Sequence, residues 1–218
     1  MRSTPTGHRG LPTRLAATAT LALLATLSGG TALAQAAATS AAQAASAPVV
    51  SVREALVAPM QAARQALVDK RFDDARRELA ATDAVADKTP AEVYLIEQMR
   101  VIAATGLCDA VALMAAADAA IATGEGSPVQ RLGLMNQAAA AALAHKDTAA
   151  AARWTRRYLE AGGDDAAAHL RLAQAEYLQG RHAEAAAALQ PLQALEQQGR
   201  WQPTEPQLRL AVAVHGAT

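Results

Sequence analysis

The residues of this sequence best suited to chemistry are its histidines, its one cysteine and the serines in its turns. None of them falls into a catalytic pattern. His145, His169, His182 and His215 form no pair at i and i+4, the spacing at which two histidines on one helix bind zinc. His169 and His182 could approach each other across one predicted helical hairpin, but two ligands do not make a metal site. The segment from Gly124 to Ser127 lacks the strand–turn–helix context of a nucleophile elbow. The sequence therefore predicts no enzymatic activity and neither a cofactor nor a metal.

Cys108 is the only cysteine of the chain, so no internal disulfide can form. In an oxidising compartment its thiol could pair with another chain. The simpler interpretation, which we take as the expectation, is a small side chain buried at the start of a helix.

Aromatic and basic side chains alternate in one predicted helix at Arg153, Trp154, Arg157 and Tyr158. Trp154 and Tyr158 are four residues apart and share a helical face, with the arginines on the adjacent one. An exposed strip of this kind would have the composition of a protein-binding hot spot. Because only 3% of the residues are aromatic and an alanine-rich core needs large side chains, we favour packing of both rings against the next hairpin.

The elements that position these side chains are predicted by composition. The chain has 218 residues, of which 52% are hydrophobic, with alanine supplying much of that content. Alanine has the highest helix propensity and little surface to bury, so many close-packed helices are favoured over a thick core. β-Branched and aromatic residues are too scattered for a sheet. We therefore predict an all-α protein of one or two domains.

Residues 1–34 have the pattern of a secretory signal peptide. Arg2, Arg9 and Arg14 form a positive start, an apolar stretch runs from Leu15 to Leu27, and Ala32-Leu33-Ala34 offers small residues for cleavage after Ala34. An uncleaved anchor is the alternative, but this apolar stretch is shorter than the roughly 20 residues that span a bilayer. The pattern predicts export to the periplasm, with no stable membrane insertion after cleavage.

The charge balance of the exported chain disfavours nucleic acid as a partner. The full chain has 20 basic and 20 acidic residues, and loss of the three N-terminal arginines leaves 17 basic residues. A nucleic-acid-binding domain instead needs a basic face. Residues 35–50, rich in alanine and serine and without charge, are predicted to be a disordered linker before a helical domain at 51–218.

Helix starts and turns recur at regular intervals from residue 51 onward. Capping boxes, in which a hydroxyl and a Glu or Gln side chain exchange hydrogen bonds with backbone amides, begin at Ser51, Thr89, Ser127 and Thr204. Turns are predicted to begin at Lys70, at Gly106 (Gly106-Leu107-Cys108), at Lys146 and at Gly180. Four helical hairpins are therefore predicted at 52–69/71–84, 90–104/108–122, 128–145/148–160 and 165–179/182–198. A closing helix is predicted from Pro206 to about Val214.

Two prolines fall inside predicted helices. Pro59 should kink the first helix or move its start to about Ala58. Pro191 should bend or split the last long helix.

The hairpins resemble tetratricopeptide repeats (TPR), in which a small pair in the first helix faces an alanine in the second where the two helices cross. Lys146 and Ala151 recur as Gly180 and Ala185, an offset of 34 residues that is typical of this family. The residues that carry the resemblance are the pairs Ala62-Ala63, Ala138-Ala139 and Leu172-Ala173, the crossing alanines Ala75, Ala151 and Ala185, and the turn aromatic Phe72. The second hairpin departs from the pattern, with Gln98-Met99 and Val111 at these places. The chain after residue 34 also resembles the N-terminal half of longer exported bacterial TPR proteins.

This resemblance implies a right-handed α-solenoid that binds another protein through a concave groove, lined by the first helix of each hairpin. The groove positions implied are Met60, Arg64, Leu67, Ile96, Arg100, Ala103, Asn136, Ala140, Leu143, Leu170, Gln174 and Tyr177. Arg64 and Arg100 are 36 residues apart, as are the turns placed at Lys70 and Gly106, so we expect them at equivalent places facing an acidic group of the partner. The alternative is that both arginines pair with neighbouring carboxylates such as Glu97.

The partner predicted from the groove is an unidentified protein or peptide of the envelope. A second hypothesis is a structural subunit that forms homo-oligomers through its uncovered last helix, since the ends of solenoids need polar caps.

The export hypothesis predicts a mature protein that begins at Gln35 and is recovered in the periplasmic fraction. N-terminal sequencing of the purified protein checks it. Finding Met1 on most molecules, in the cytoplasmic fraction, would refute cleavage and export together.

Overall fold

The computed structural model describes residues 52–217, so the predicted signal peptide and linker lie outside the described residues. Over this range the chain folds into nine α-helices and one short 3₁₀-helix (Thr82–Ala84), with no strand, which confirms the all-α prediction. The helices are α1 (Glu54–Val68), α2 (Phe72–Ala81), α3 (Pro90–Gly106), α4 (Ala110–Ala122), α5 (Pro128–Ala144), α6 (Thr148–Glu160), α7 (Ala166–Leu178), α8 (His182–Gln197) and α9 (Glu205–Gly216).

The two helices of each predicted hairpin pack against each other, and each helix also packs against the next one along the chain. Contacts beyond the nearest neighbour join α1 to α3, α5 to α7 and α7 to α9. Among neighbouring odd-numbered helices the packing is weakest between α3 and α5, where there is an open depression. The odd-numbered helices therefore lie beside one another except at this one position.

Capping boxes fix the starts of α3 and α5 as predicted. The Thr89 amide donates to Glu92 at 2.7 Å and the Glu92 amide donates to the Thr89 hydroxyl at 3.2 Å, and Ser127 and Gln130 repeat both bonds. At α9 the Thr204 amide donates to Gln207 at 2.9 Å. Ser51, where a further box is predicted, lies outside the described residues. Helix α1 starts at Glu54, after Arg53, which makes no side-chain cap.

Neither internal proline ends its helix. Pro59 lies inside α1, which begins at Glu54 rather than near Ala58. Pro191 lies inside α8, which continues unbroken to Gln197. Of the two outcomes predicted for each proline, the late start of the first helix and the splitting of the last long helix are therefore excluded, and the kink and the bend stay predictions.

The four turns between paired helices share one geometry. Lys70, Cys108, Lys146 and Gly180 have φ between 55° and 74°, the left-handed conformation that closes a helix C-terminus. At each turn the following amide bonds back to a carbonyl five residues earlier, as in the 2.8 Å bond from Arg71 to Ala66 and the 2.9 Å bond from Asp109 to Ala104. The turns thus recur at spacings of 38, 38 and 34 residues.

The predicted second turn, Gly106-Leu107-Cys108, contains the observed one, but its left-handed residue is Cys108 and not Gly106, from which the repeat register was counted. Gly106 is the last residue of α3. A glycine is found here because of a close contact with another helix, as the following distance shows. A Cβ atom at Gly106 would lie 2.4 Å from the ring of Phe72, which packs there from the start of α2. The glycine is required by close approach of an aromatic ring rather than by a turn.

Counting five residues from each left-handed turn gives the positions where paired helices meet. Ala75, Ala151 and Ala185 are fully buried there, as predicted. In the second hairpin the equivalent residue is Leu113, which is also buried, whereas Val111, expected at this place, is 63% exposed. The two-residue error in the turn therefore carried over to the crossing residue.

Two buried carboxylates tie the helices together around this alanine-rich core. Glu92 accepts hydrogen bonds from the amides of Thr89, at 2.7 Å, and Arg53, at 2.9 Å. These backbone bonds hold the pKa of Glu92 below its ordinary value. Glu176 binds Arg156 of α6 and Arg181, which precedes α8. A buried carboxylate that accepts several hydrogen bonds is stable as an anion, so Glu92 stays charged inside the fold.

The crossing assignment predicts that Ala151→Leu and Ala185→Leu each lower the free energy of unfolding by about 1–3 kcal/mol, because a well-packed site has no room for three more carbons. Urea denaturation of each variant measures the loss. Ala187→Leu is the matched control on α8, where the side chain is exposed. Equal stability of the parent and both crossing variants would contradict the assignment.

Candidate protein-interaction face

The predicted groove positions lie on the odd-numbered helices. Some of them line separate surface depressions, and others are buried in the core. We call the accessible surface of α1, α3, α5, α7 and α9 the odd-helix face. Three depressions lie along it, between α1 and α3, between α3 and α5, and among α5, α7 and α9. Met60 and Ile96 take no part in any of them, because both are buried in the core.

The depression between α1 and α3 has a volume of about 390 Å³. Its lining is mainly apolar, with Val68 70% exposed and Ile102 51% exposed. Large aliphatic side chains so exposed and so close together mark an interaction site more often than scattered single residues do. The remaining lining residues are Arg64, Leu67, Leu95, Gln98 and Met99.

Arg64 supplies the only charge that lines this depression. The side chain is exposed and makes no hydrogen bond or ion pair with a residue in the range 52–217. A contact of Arg64 with a partner would therefore displace no bond within this range, and such a contact stays a prediction.

Arg100 does not share this position. It lies eight residues before the turn at Cys108, whereas Arg64 lies six residues before Lys70, and the residue equivalent to Arg64 is Ile102. Arg100 lines a different depression of about 470 Å³, bordered by α2 and α4. The expectation that the two arginines occupy equivalent places on one groove wall is therefore wrong.

The alternative of pairing with neighbouring carboxylates is confirmed for Arg100. Its guanidinium donates to Glu97 at 2.8 Å, to Asp83 at 2.6 Å and to the Leu79 carbonyl at 3.2 Å. Glu97 is itself buried, and burial raises its pKa although Arg100 opposes that shift. Arg100 thus joins α3 to the end of α2.

The depression among α5, α7 and α9 brings together three predicted groove residues, Leu143, Leu170 and Gln174. Its volume is about 410 Å³. Helix α9 closes one side with Pro206, Gln207 and Leu210, and α7 adds Ala167 and Arg171. The closing helix therefore contributes to the odd-helix face, which the sequence argument did not foresee.

Arg171 is the residue of this depression that sequence reasoning missed. Its guanidinium is half-buried and donates one hydrogen bond, to Asn136 Oδ1 at 2.8 Å. It lies within ion-pair distance of no carboxylate among residues 52–217. Burial lowers its pKa, an effect that Asp165 only partly offsets. Asn136, a predicted groove residue, is thus occupied in holding this cation.

The depression between α3 and α5 has a volume of about 510 Å³ and is lined largely by alanine, including Ala140. Cys108 and His145 stand at its edge. Cys108 is exposed, which corrects the expectation of a buried residue. Its backbone closes the turn, and this leaves the side chain outside the helix pair.

The aromatic–arginine strip is not a free surface. Trp154 is fully buried, and the guanidinium of Arg157 lies 4.2 Å from its ring centre while pairing with Asp118 at 2.5 Å. Tyr158 donates to Asp165 at 2.5 Å, which raises the tyrosine pKa to about 12. The expected packing of both rings is confirmed, and Arg153 remains exposed beside them.

The remaining histidines have separate neighbours. His169 lies 4.0 Å from Asp164, and His182 packs against the predicted groove residue Tyr177 with 5.2 Å between ring centres. Within the described part of the chain, no group of three or more His, Cys, Asp or Glu side chains is placed to hold a metal ion. No helix of residues 52–217 is both long enough and apolar enough to cross a bilayer.

Comparison with known proteins assigns no family. No protein-family model matches the sequence, and no curated protein or solved structure matches it significantly.

Proposed function

We propose that this chain is an exported, non-catalytic interaction module that binds another protein of the bacterial envelope through its odd-helix face. The observation that carries the proposal is the depression between α1 and α3, where exposed aliphatic side chains surround Arg64, which makes no hydrogen bond or ion pair within residues 52–217. A surface with an apolar centre and a cation without an internal partner is suited to a peptide that offers an aliphatic side chain and a carboxylate. Enzymatic activity has no comparable set of residues to support it.

The proposed architecture is a TPR-like right-handed α-solenoid of four hairpins followed by α9. Its support is the recurrence of one turn geometry, followed five residues later by a buried crossing residue, in all four helix pairs. Contacts between alternate helices at α1–α3, α5–α7 and α7–α9 agree with stacked hairpins. In such a stack the odd-numbered helices line the concave surface, where repeat proteins bind extended partners.

Self-association through α9 is the second candidate. It is favoured by two large aliphatic side chains that are exposed on this helix, Leu208 and Val212, the second of them 73% exposed. A sizing column separates the two proposals, because an interaction module stays monomeric as its concentration rises and a self-associating subunit does not.

The binding proposal is tested with a photoreactive amino acid at Ile102, which borders the α1–α3 depression, and the partner is identified from the cross-linked adduct. Arg64→Glu should then weaken the affinity of the purified complex at least tenfold, because it replaces a complementary charge with a repelling one. The melting temperature should change little, since Arg64 is exposed and has no partner in the part of the chain that the structure describes.

Arg153→Glu is the matched control for this experiment, because Arg153 is also exposed but lies on α6. It should bind like the parent. If Arg153→Glu loses binding and Arg64→Glu does not, the odd-helix face is the wrong surface.

A further inference from the structure

We propose that the depression bordered by α2 and α4 binds a small aromatic amine, with its ring against the alanines of α4 and its ammonium group at the carboxylate of Glu97. We call this site the α2–α4 depression. It lies between two even-numbered helices, with residues of α3 contributing to its lining. The site is separate from the odd-helix face, so the inference does not depend on the proposed function.

The next pair of even-numbered helices shows what fills such a space. Between α4 and α6, Trp154 is fully buried and the guanidinium of Arg157 lies 4.2 Å from its ring centre. Arg157 also pairs with Asp118 of α4 at 2.5 Å. A ring, a cation and a carboxylate therefore join these two helices, and a cation over an indole ring is a favourable contact in itself.

The equivalent residues of α4 are alanines. Counted from the left-handed residue of the preceding turn, Trp154 and Ala116 both occupy the eighth position. Arg157 and Ala119 both occupy the eleventh. Both alanines line the α2–α4 depression. The side chains that fill the space before α6 are thus missing before α4.

The space that remains has the size and character of a small-molecule site. Its volume is about 470 Å³ and most of its lining residues are alanine or leucine. Sites for small ligands are mainly apolar, contain a few polar groups and have volumes of roughly 300–1,000 Å³. An aromatic ring is the group that the α4–α6 space already accepts at the equivalent position.

A buried carboxylate supplies a polar contact for the ligand. Glu97 lines the depression and is 8% exposed. Its Oε1 atom accepts a 2.8 Å hydrogen bond from Arg100, whereas Oε2 accepts none from residues 52–217. Burial raises the pKa of Glu97 although Arg100 and Lys88 oppose the shift, so the nearby cations do not fully compensate its carboxylate. An ammonium group has three N–H donors with which to bond the free oxygen.

The charge of the lining favours a cationic ligand over an anionic one. It contains three carboxylates and two guanidinium groups, those of Asp83, Glu97, Asp109, Arg76 and Arg100. Arg76 already pairs with Asp73 at 2.8 Å, and Arg100 is shared by Asp83 and Glu97. Asp109 forms no ion pair within residues 52–217 and accepts only the Ala112 amide, at 3.0 Å. A ligand that carries one positive charge therefore complements the site.

Four probes added to the ¹⁵N-labelled mature protein separate the ring from the charge. Tryptamine has both, indole-3-propionate has a carboxylate in place of the ammonium group, 3-methylindole has no charge and butylamine has no ring. Tryptamine should shift backbone amide signals of α2, α3 and α4 in NMR spectra and leave those of α7 and α9 unchanged. The other three should bind at least tenfold more weakly, because each lacks one of the two complementary groups.

Two substitutions on α4 test the position of the ring. Ala119→Phe places an aromatic side chain of the protein in the depression and should weaken tryptamine binding at least tenfold. Ala122→Phe is the matched control, because Ala122 is exposed on the same helix but does not line the depression. It should bind tryptamine like the parent.

Glu97→Gln tests the position of the ammonium group, because it keeps the shape of the side chain and removes its charge. It should weaken tryptamine binding at least tenfold and leave the affinity for 3-methylindole unchanged. If Glu97→Gln does not fold, Asp83→Asn decides instead, since Asp83 is exposed and its carboxylate shares Arg100 with Glu97. It should weaken tryptamine binding as well.

Equal affinity for tryptamine and indole-3-propionate overturns the proposal, as does parental affinity of the folded Ala119→Phe variant. If butylamine or 3-methylindole binds as tightly as tryptamine, the assignment to an aromatic amine fails. The absence of shifts in α2, α3 and α4 up to the solubility limit of tryptamine also overturns it. None of these results changes the expected effect of Arg64→Glu, which tests the proposed function separately.

Discussion

The distance at which paired helices cross depends on side chains no larger than a methyl group in three of the four pairs. Ala75, Ala151 and Ala185 are fully buried at these crossings, and larger side chains there would separate the helices. With so little volume at the crossings, few large side chains remain to fill the core, and Trp154 is the largest that is completely buried. Buried carboxylates such as Glu92 and Glu176 add the connections that a thin core lacks.

The same constraint explains where the accessible surface lies. Close pairing within each hairpin leaves the spaces between alternate helices to be filled by whatever side chains those helices carry. Alanine does not fill the space between α3 and α5, so a depression opens there. The aliphatic residues of α1 and α3 partly fill the space between these two helices and remain exposed. Helix α9 closes one side of the depression that contains Arg171. The candidate binding surface is thus a consequence of how the hairpins are spaced.

Local signals in the sequence predicted most of the fold. The bounds of α3 to α8 were predicted to within about two residues, because capping boxes and turns are local patterns whose partners lie within five positions. The register of the second turn was counted from Gly106 because glycine is a helix-terminating signal on its own, whereas the role of Gly106 depends on Phe72, a contact 34 positions away. Cys108 gave no signal, since cysteine rarely adopts the left-handed conformation.

Errors in the candidate site followed from these contacts between distant parts of the chain. Arg100 was placed beside Arg64 by the misplaced turn, and its ion pair with Asp83 spans 17 residues. Arg171 was overlooked because an arginine within an alanine-rich helix has no local feature that distinguishes a half-buried cation from a solvated one. Its environment is created by Asn136, 35 residues earlier, and by α9, which follows it.

Whether partners contact the odd-helix face is tested most directly by a photo-cross-linking scan of one exposed position on each of eight helices. The positions are Val68, Ile102, Ala140 and Gln174 on α1, α3, α5 and α7, and Arg77, Val111, Arg153 and Ala187 on α2, α4, α6 and α8. Our account predicts adducts to one partner from the odd-numbered helices and none from the even-numbered ones. Adducts confined to the even-numbered helices, or distributed equally between the two sets, would contradict it.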